Sequence, residues 1–101
     1  MIDDTQYLEI YSSGYKHLMY YKADGRYSFL ERNFHSPNKF EYTEVIVAAD
    51  KLEEALDIPS SYETSEFSKM KMLFGNLEGL KHFQDFCDNE GIETKTLFWE
   101  E

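Results

Sequence analysis

Residues 16–32, KHLMYYKADGRYSFLER, decide the predicted fold of the N-terminal half of the chain. Two runs rich in aromatic and other β-favouring residues, Lys16–Lys22 and Arg26–Arg32, flank the short segment 23–25 (ADG). A three-residue loop with glycine last is typical of a β-hairpin with a bulged turn, in which Gly25 would supply the necessary positive φ. We therefore predict an antiparallel pair of strands here.

The hairpin is predicted to belong to a sheet of about five to six strands. An earlier strand is expected over Thr5–Tyr11 (TQYLEIY), and a loop over 33–38 leads to a fourth strand, Glu41–Ala48 (EYTEVIVA). The end of that fourth strand is apolar on both faces, which is typical of an inner strand. A last strand is predicted over Ile92–Trp99 (IETKTLFW).

Two helices are predicted, one at about 50–57 and one at about 77–90. In the first, Asp50 would cap the N-terminus and Glu53 would complete a capping box. In the second, Asn76 would cap the N-terminus and Gly91 the C-terminus. The second helix also has an apolar stripe at helical spacing, formed by Leu77, Leu80, Phe83, Phe86 and Cys87.

Residues 61–74 (SYETSEFSKMKMLF) fit two secondary structures. As a helix, the segment places Phe67, Met70 and Phe74 on one face, and it is followed by Gly75, a residue type common after helix ends. As a strand, residues 69–74 alternate well between charged and apolar side chains. The alternation favours a loop followed by a strand over 68–74, with the helix as the alternative.

These elements predict a single α+β domain over residues 1–101, in which a mostly antiparallel sheet has two helices packed on one face. Because the last strand follows a helix closely, one strand pairing near the C-terminus could be parallel. The eight tyrosines each carry a hydroxyl that needs water or a partner. We therefore expect most of them at the edge of the core, with their hydroxyls in water.

The charge of the chain is strongly acidic and unevenly distributed. The formal net charge is −10, from twenty acidic and ten basic residues. Residues 1–40 are neutral, with five of each sign, and residues 41–101 carry the whole excess, with fifteen acidic residues against five basic ones. Direct binding to DNA, RNA or an anionic membrane is therefore disfavoured, and a basic protein partner is favoured instead.

The sequence also predicts a cellular compartment. Cys87 is the single cysteine, so no disulfide can form within the chain, and the start MIDD lacks the basic and apolar regions of a secretion signal. No apolar run approaches the roughly 20 residues of a membrane helix. We therefore expect a cytoplasmic protein, either of a bacterium or of a phage-infected host.

No sequence pattern predicts a catalytic, metal or cofactor site. Cys87 lies on the apolar stripe, where burial disfavours the reactive thiolate. The histidines His17, His35 and His82 fall on separate elements, and no metal-binding motif occurs. The glycine-containing helix start at 75–80 lacks the lysine of a phosphate-binding loop. We therefore predict a binding protein and not an enzyme.

The acidic residues of the two helices form the candidate binding site. On the first helix they recur at i, i+3, i+4 and i+7, a spacing at which like charges weaken a helix by roughly 0.2–0.5 kcal/mol per pair. A row of carboxylates about 6 Å apart along a helix can imitate a row of phosphates. A solvated face that keeps the protein soluble is the plainer interpretation. The predicted partner-binding residues are Asp50, Glu53, Glu54, Asp57, Glu78, Asp85 and Asp88.

We interpret the chain as a small acidic inhibitor or adaptor that binds a basic surface, with a nucleic-acid-binding protein as the expected partner. One form would be a DNA mimic of the phage type that blocks restriction, CRISPR or transcription enzymes. The alternatives are an immunity protein against a basic toxin, a sheet-mediated or homodimeric assembly module, and a small enzyme or ligand binder. The assembly alternative depends on the tyrosines of segment 1–40, namely Tyr7, Tyr11, Tyr15, Tyr20, Tyr21 and Tyr27.

Overall fold

A computed structural model describes residues 7–36, 39–57 and 63–100 of the chain. Within these ranges five strands form one sheet whose spatial order follows the chain, and three helices lie between the fourth and fifth strands. The elements are β1 (Leu8–Ser12), β2 (Lys16–Ala23), β3 (Arg26–Ser36), β4 (Lys39–Ala48), α1 (Ala49–Leu56), α2 (Glu63–Phe74), α3 (Gly79–Asn89) and β5 (Thr94–Glu100).

The predicted α+β class, with an antiparallel sheet, is confirmed, and the described residues contain one helix more than predicted. Every pairing among the described strands is antiparallel, so the parallel pairing considered near the C-terminus is wrong. Val47 near the end of β4 pairs with Thr94 at the start of β5. The three helices therefore return the chain to the end of the sheet that it left, and β5 must run back along β4.

The hairpin of β2 and β3 forms as predicted, with a tighter turn. Ala23 and Arg26 pair directly, and the turn consists of Asp24 and Gly25, with φ of 54° and 74°. Two consecutive residues with positive φ indicate a type I′ turn, whose twist matches that of the strands. The predicted three-residue bulged turn is therefore wrong, because aspartate and glycine both tolerate this backbone conformation.

The connection between β3 and β4 is shorter than predicted. Residues 33–36, assigned to a loop from their composition, continue β3, and β4 begins at Lys39. The rings of Phe34 and Phe40 meet across the two strands with centroids 5.0 Å apart, and this contact outweighs the loop-like composition. Residues 37–38 of the predicted loop lie outside the described residues, as do 5–6 of the first predicted strand and 61–62 of the ambiguous segment.

The strand predicted over 68–74 is wrong, because Glu63–Phe74 forms helix α2. Met70 and Phe74 are buried and Phe67 is partly buried, as the helical alternative required. A strand would have buried Met72 on the same side as Met70 and Phe74, yet Met72 is 73% exposed. Lysine, methionine and leucine also favour helices, so intrinsic propensity and packing together outweigh the alternation.

Helix α1 lies where predicted, but it has no capping box. The N-cap position is occupied by Ala48, and no side chain caps the helix. The Asp50 carboxylate instead accepts the backbone N–H of Lys51 at 2.8 Å. The Glu53 carboxylate instead accepts hydrogen bonds from Lys22 and Tyr27 of the sheet, so it cannot complete a capping box.

Helix α3 begins two residues later than predicted, at Gly79. The side-chain oxygen of Asn76 accepts the backbone N–H of Glu78 at 3.0 Å, which stabilises a turn before the helix and not the helix itself. Leu77 lies in this turn and is 40% exposed, so it does not belong to the buried stripe. The prediction of Asn76 as the N-cap is therefore wrong.

The predicted C-terminal end of α3 is confirmed. Gly91 has φ of 69°. The N–H of Ile92 donates to the carbonyl of Cys87 at 2.8 Å, and the N–H of Gly91 donates to that of Asp88 at 3.3 Å. These two bonds form a Schellman motif, which requires a left-handed residue where the glycine stands.

The main core lies between the sheet and the three helices. Phe29 of β3 stacks on Phe83 of α3 with centroids 4.5 Å apart, and Phe74 of α2 meets both rings edge-on. Cys87 is fully buried in this core, as predicted. Burial raises the pKa of its thiol to about 11, and the nearby Asp88 adds to the rise. The thiol is therefore protonated at neutral pH and acts as a packing residue.

The opposite face of the sheet carries a second, smaller cluster. Met19, Leu30 and Tyr42 are buried there, and Trp99 of β5 stacks on Tyr42 with centroids 5.2 Å apart. The described members of this cluster all come from strands or from the segment before β1. Large side chains on this face therefore cover one another, with the helices on the far side of the sheet.

Candidate acidic binding surface

The exposed side of α1 carries three of its four predicted partner-binding carboxylates. Asp50, Glu54 and Asp57 are exposed. Asp57 caps the C-terminus of the helix in the left-handed conformation, with φ of 56°, and its N–H reaches the carbonyls of the preceding turn. These residues keep the i, i+4, i+7 spacing of the predicted stripe.

Glu53, the fourth predicted residue of α1, faces the sheet. Its side chain is only 12% exposed, and the Lys22 ammonium lies 2.5 Å from its carboxylate. The Tyr27 hydroxyl donates to the same carboxylate oxygen at 2.9 Å. The charge of Glu53 is therefore balanced within the fold, and the structure places this residue away from the exposed stripe.

An open cleft of about 730 Å³ lies between α1 and the turn from α3 to β5. Glu54 lines it from α1, Glu90 and Glu93 line it from the turn, and Lys51 is the basic residue among them. Three carboxylates and one ammonium give the cleft a net negative charge, which suits a cationic side chain of a partner. We call these residues the acidic cleft.

Sequence reasoning found Glu54 but missed Glu90 and Glu93. The sequence predicts Glu90 at the end of the second helix and Glu93 in the last strand, whereas in the structure both lie in the turn between α3 and β5. The available signal was Gly91 itself, which marks where the chain reverses but does not reveal that α1 lies beside the turn.

The predicted acidic residues of α3 are exposed but stand apart from the acidic cleft. Glu78, Asp85 and Asp88 are all exposed, and none of them lines the cleft. Lys81 and His82 are exposed on the same helix. With Glu78 as the N-cap of α3, each of the two helices therefore presents three exposed carboxylates and one exposed lysine, which is Lys51 on α1 and Lys81 on α3.

Other chemically interesting groups have structural partners. Among the described residues, no three His, Cys, Asp or Glu side chains are grouped so that they could hold a metal ion. The imidazole of His17 lies 3.3 Å from the Ser12 hydroxyl and 3.4 Å from an Arg32 nitrogen.

The described helices include none with the length and apolar character needed to cross a membrane.

A buried hydrogen-bond network links α1 and α2 to the sheet. Glu66 of α2 is 7% exposed, and its two oxygens lie 3.1 Å from the Tyr20 hydroxyl and 2.6 Å from the Tyr27 hydroxyl. The Tyr27 hydroxyl also lies 2.9 Å from the Glu53 carboxylate, which forms an ion pair with Lys22. The expectation of solvated hydroxyls is therefore wrong for Tyr20 and Tyr27, because carboxylates replace water as their partners.

Alkaline pH is expected to destabilise the fold through its buried tyrosines. Burial, followed by hydrogen bonds to Glu66 and Glu53, raises the pKa of Tyr27 above its ordinary value of about 10. On the opposite face, burial raises the pKa of Tyr7 to about 12, and the charge of Glu44 contributes. Above pH 10 the unfolded chain releases protons that the folded chain keeps, so the free energy of unfolding falls as pH rises.

Urea denaturation between about pH 8 and pH 11 measures this slope. Tyr27→Phe should flatten the fall, because it removes one proton that the folded state retains. Tyr15→Phe is the matched control, since Tyr15 is 54% exposed. A Tyr27→Phe profile parallel to that of the wild type would contradict the prediction.

The tyrosines of segment 1–40 do not share one exposed face. Tyr20 and Tyr27 are buried in the helix-side core, whereas Tyr15 is exposed before β2. Tyr7 and Tyr21 meet edge-on with centroids 4.7 Å apart. The tyrosine surface on which the assembly alternative depended is therefore not formed as predicted.

No protein-family model, curated protein or solved structure matches this chain. Its function must therefore be inferred from its own residues. The acidic cleft brings three exposed carboxylates together from two separate parts of the chain, with Lys51 as the basic residue among them.

Proposed function

We propose that the protein is a small binding protein that engages a basic surface of a protein partner through its acidic helix side. The observation that carries this proposal is the convergence of Glu54, Glu90 and Glu93 on one open cleft. Folding brings these carboxylates to the walls of one cleft, where three negative charges outnumber the single positive charge of Lys51. A cationic group of a partner would be attracted to this net negative charge.

The acidic cleft continues onto the exposed side of α1, where Asp50 and Asp57 extend the negative charge. Such a surface steers a basic partner during approach and raises the association rate. The attraction is screened over about 8 Å at physiological salt. We therefore expect binding that weakens clearly as salt is added.

Nucleic-acid-binding proteins are the partner class that this surface fits best. Asp50, Glu54 and Asp57 follow one another along a helix at intervals comparable to those of successive phosphates. A protein that presents such a row can occupy a nucleic-acid groove as a DNA mimic. An inhibitor of restriction, CRISPR or transcription enzymes would use it in this way, as would an immunity protein against a basic nuclease.

The test begins with the immobilised whole protein and a nuclease-treated bacterial lysate. The bound fraction is eluted with a salt gradient and, in a parallel run, with duplex DNA. A basic nucleic-acid-binding protein that leaves at raised salt and is displaced by DNA is the expected result. Retention that yields only to denaturant, or no retention at all, would overturn the proposal.

Charge reversal within the acidic cleft is expected to weaken binding to the captured partner at least about tenfold. Glu54→Lys and Glu93→Lys each replace an attraction with a repulsion, and calorimetric titration at low salt measures the loss. Glu53 is unsuitable for this test, because reversing its charge would also break the pair with Lys22.

Glu9→Lys is the matched control for these variants. Glu9 is half exposed, and it pairs in register with Met19, whose side chain lies on the sheet face opposite the helices. Its carboxylate lies 4.0 Å from the His17 ring, a longer and more exposed contact than the 2.5 Å pair between Glu53 and Lys22, so reversing its charge should disturb the fold less. The net charge changes by the same amount, so its affinity should stay close to that of the wild type. An equal loss in all three variants would show that net charge alone acts and would contradict a specific cleft.

A further inference from the structure

Strand β5 lies at an edge of the sheet, and the helices leave it largely uncovered. Among the described strands, β1 and β5 lie at the two edges of the sheet. The helices pack mainly against β1, β3 and β4. On β5, Leu97 is 38% exposed and Phe98 is 61% exposed. An edge strand of this kind offers backbone hydrogen-bonding groups and apolar side chains to another chain.

The other edge is protected in ways that β5 is not. β1 has five residues, its register shifts between Glu9 and Tyr11, and it packs against α2. Short length, bulges and covering helices are the means by which proteins prevent edge-to-edge pairing. β5 has seven residues without proline, and it pairs with β4 in unbroken register from Thr94 to Glu100.

We propose that β5 pairs antiparallel with β5 of a second copy of this chain, so that one continuous sheet crosses the dimer. A two-fold axis perpendicular to the sheet places one residue opposite its own copy, because directly opposed residues share a face. Leu97 is the middle residue of Thr94–Glu100, so centring the axis on it pairs the whole strand.

This register is self-complementary. Lys95 stands opposite Trp99 of the second copy, where its ammonium can lie over the indole ring. Thr96 stands opposite Phe98 of the second copy, and the two Phe98 rings become diagonal neighbours within reach of each other. The strand holds one base and one acid, so it is neutral although the chain carries −10. No like charges face each other across the axis.

The expected dimer is reversible and depends on concentration. A seven-residue strand spans about 24 Å. Pairing along this length buries less surface than the standard interface of about 1,600 Å², so we expect a dissociation constant in the micromolar range. Salt screens the repulsion between the two acidic copies and should strengthen the dimer. Binding of a basic partner by the acidic cleft has the opposite salt dependence, so the two proposals can fail separately.

Sedimentation equilibrium of the whole protein, from about 1 to 500 μM at low and high salt, tests the dimer. The mass should rise towards twice that of the monomer with concentration, and further with salt. Leu97→Lys places two ammonium groups at the axis and should remain monomeric. Leu8→Lys is the matched control, because Leu8 is 48% exposed on the protected edge, and it should dimerise like the wild type. Thermal unfolding confirms that both variants fold.

Cross-linking tests the register independently. Leu97→Cys should form a disulfide between two copies in air, because residues opposite each other across the axis are close enough to be bridged. Cys87 is fully buried and does not compete. Leu8→Cys should stay reduced under the same conditions. A monomer at every concentration, or equal cross-linking at both positions, would overturn the proposal.

Discussion

Replacing Phe83 with alanine is expected to lower the free energy of unfolding by about 3–5 kcal/mol. The ring is fully buried, stacks on Phe29 at 4.5 Å and meets Phe74 edge-on at 5.2 Å. Its removal loses apolar burial and opens a cavity where α2, α3 and β3 meet. Because these elements are held by their other contacts, they can close that cavity only in part.

Urea denaturation followed by circular dichroism measures the loss. Phe83→Leu keeps much of the side-chain volume and should cost about half as much as alanine. Tyr15→Ala removes an aromatic ring that is 54% exposed and should change the free energy of unfolding by about 0.5 kcal/mol or less. Similar losses from Phe83→Ala and Tyr15→Ala would contradict the central position of Phe83.

The elements that could be predicted from the sequence are those whose local signals agree with their packing. The β2–β3 hairpin combines β-favouring residues with an Asp24-Gly25 turn, and α3 combines an apolar period with Gly91 at its end. In each case propensity, periodicity and turn chemistry indicate the same structure. Their positions were therefore predicted to within a few residues.

Helix α2 could not be predicted because its local signals disagree. Residues 69–74 alternate like a strand, and their composition also favours a helix. The distinction depends on whether Met72 faces the core, and this is decided by the position of α2 relative to β1 and α3. The spacing of apolar residues within the segment does not show whether Met72 faces the core.

The candidate site was predictable only in part, for a similar reason. Helical spacing places Glu53 and Glu54 on the same polar side of α1, yet one pairs with Lys22 of β2 and the other lines an open cleft. Lys22, whose pairing with Glu53 distinguishes it from Glu54, is distant from both residues in the sequence. The same is true of Glu90 and Glu93, which become part of a site only because α1 lies beside their turn.

Replacing Glu66 with alanine is expected to lower the free energy of unfolding by about 2–5 kcal/mol. Tyr20 and Tyr27 are fully buried, and Glu66 offers an acceptor oxygen to each hydroxyl, at 3.1 Å and 2.6 Å. Alanine removes both acceptors where water cannot easily replace them. It also leaves the space of the carboxylate empty between α2 and the sheet.

Glu66→Gln separates the loss of charge from the loss of hydrogen bonds. The Tyr27 hydroxyl has one hydrogen but lies within bonding distance of both Glu53 and Glu66. A glutamine could accept from Tyr20 with its oxygen and donate to the Tyr27 oxygen with its nitrogen. The Tyr27 hydroxyl would then donate its single hydrogen to Glu53 only. We therefore expect Glu66→Gln to stay within about 1 kcal/mol of the wild type.

Urea denaturation at neutral pH compares the two Glu66 variants with Glu54→Ala, which removes an exposed carboxylate and should have little effect. A large loss for alanine and a small one for glutamine would show that hydrogen bonding keeps this carboxyl group in the core. If glutamine were as damaging as alanine, the negative charge itself would be required. The hydrogen-bond account of the Tyr20–Glu66–Tyr27 network would then be wrong.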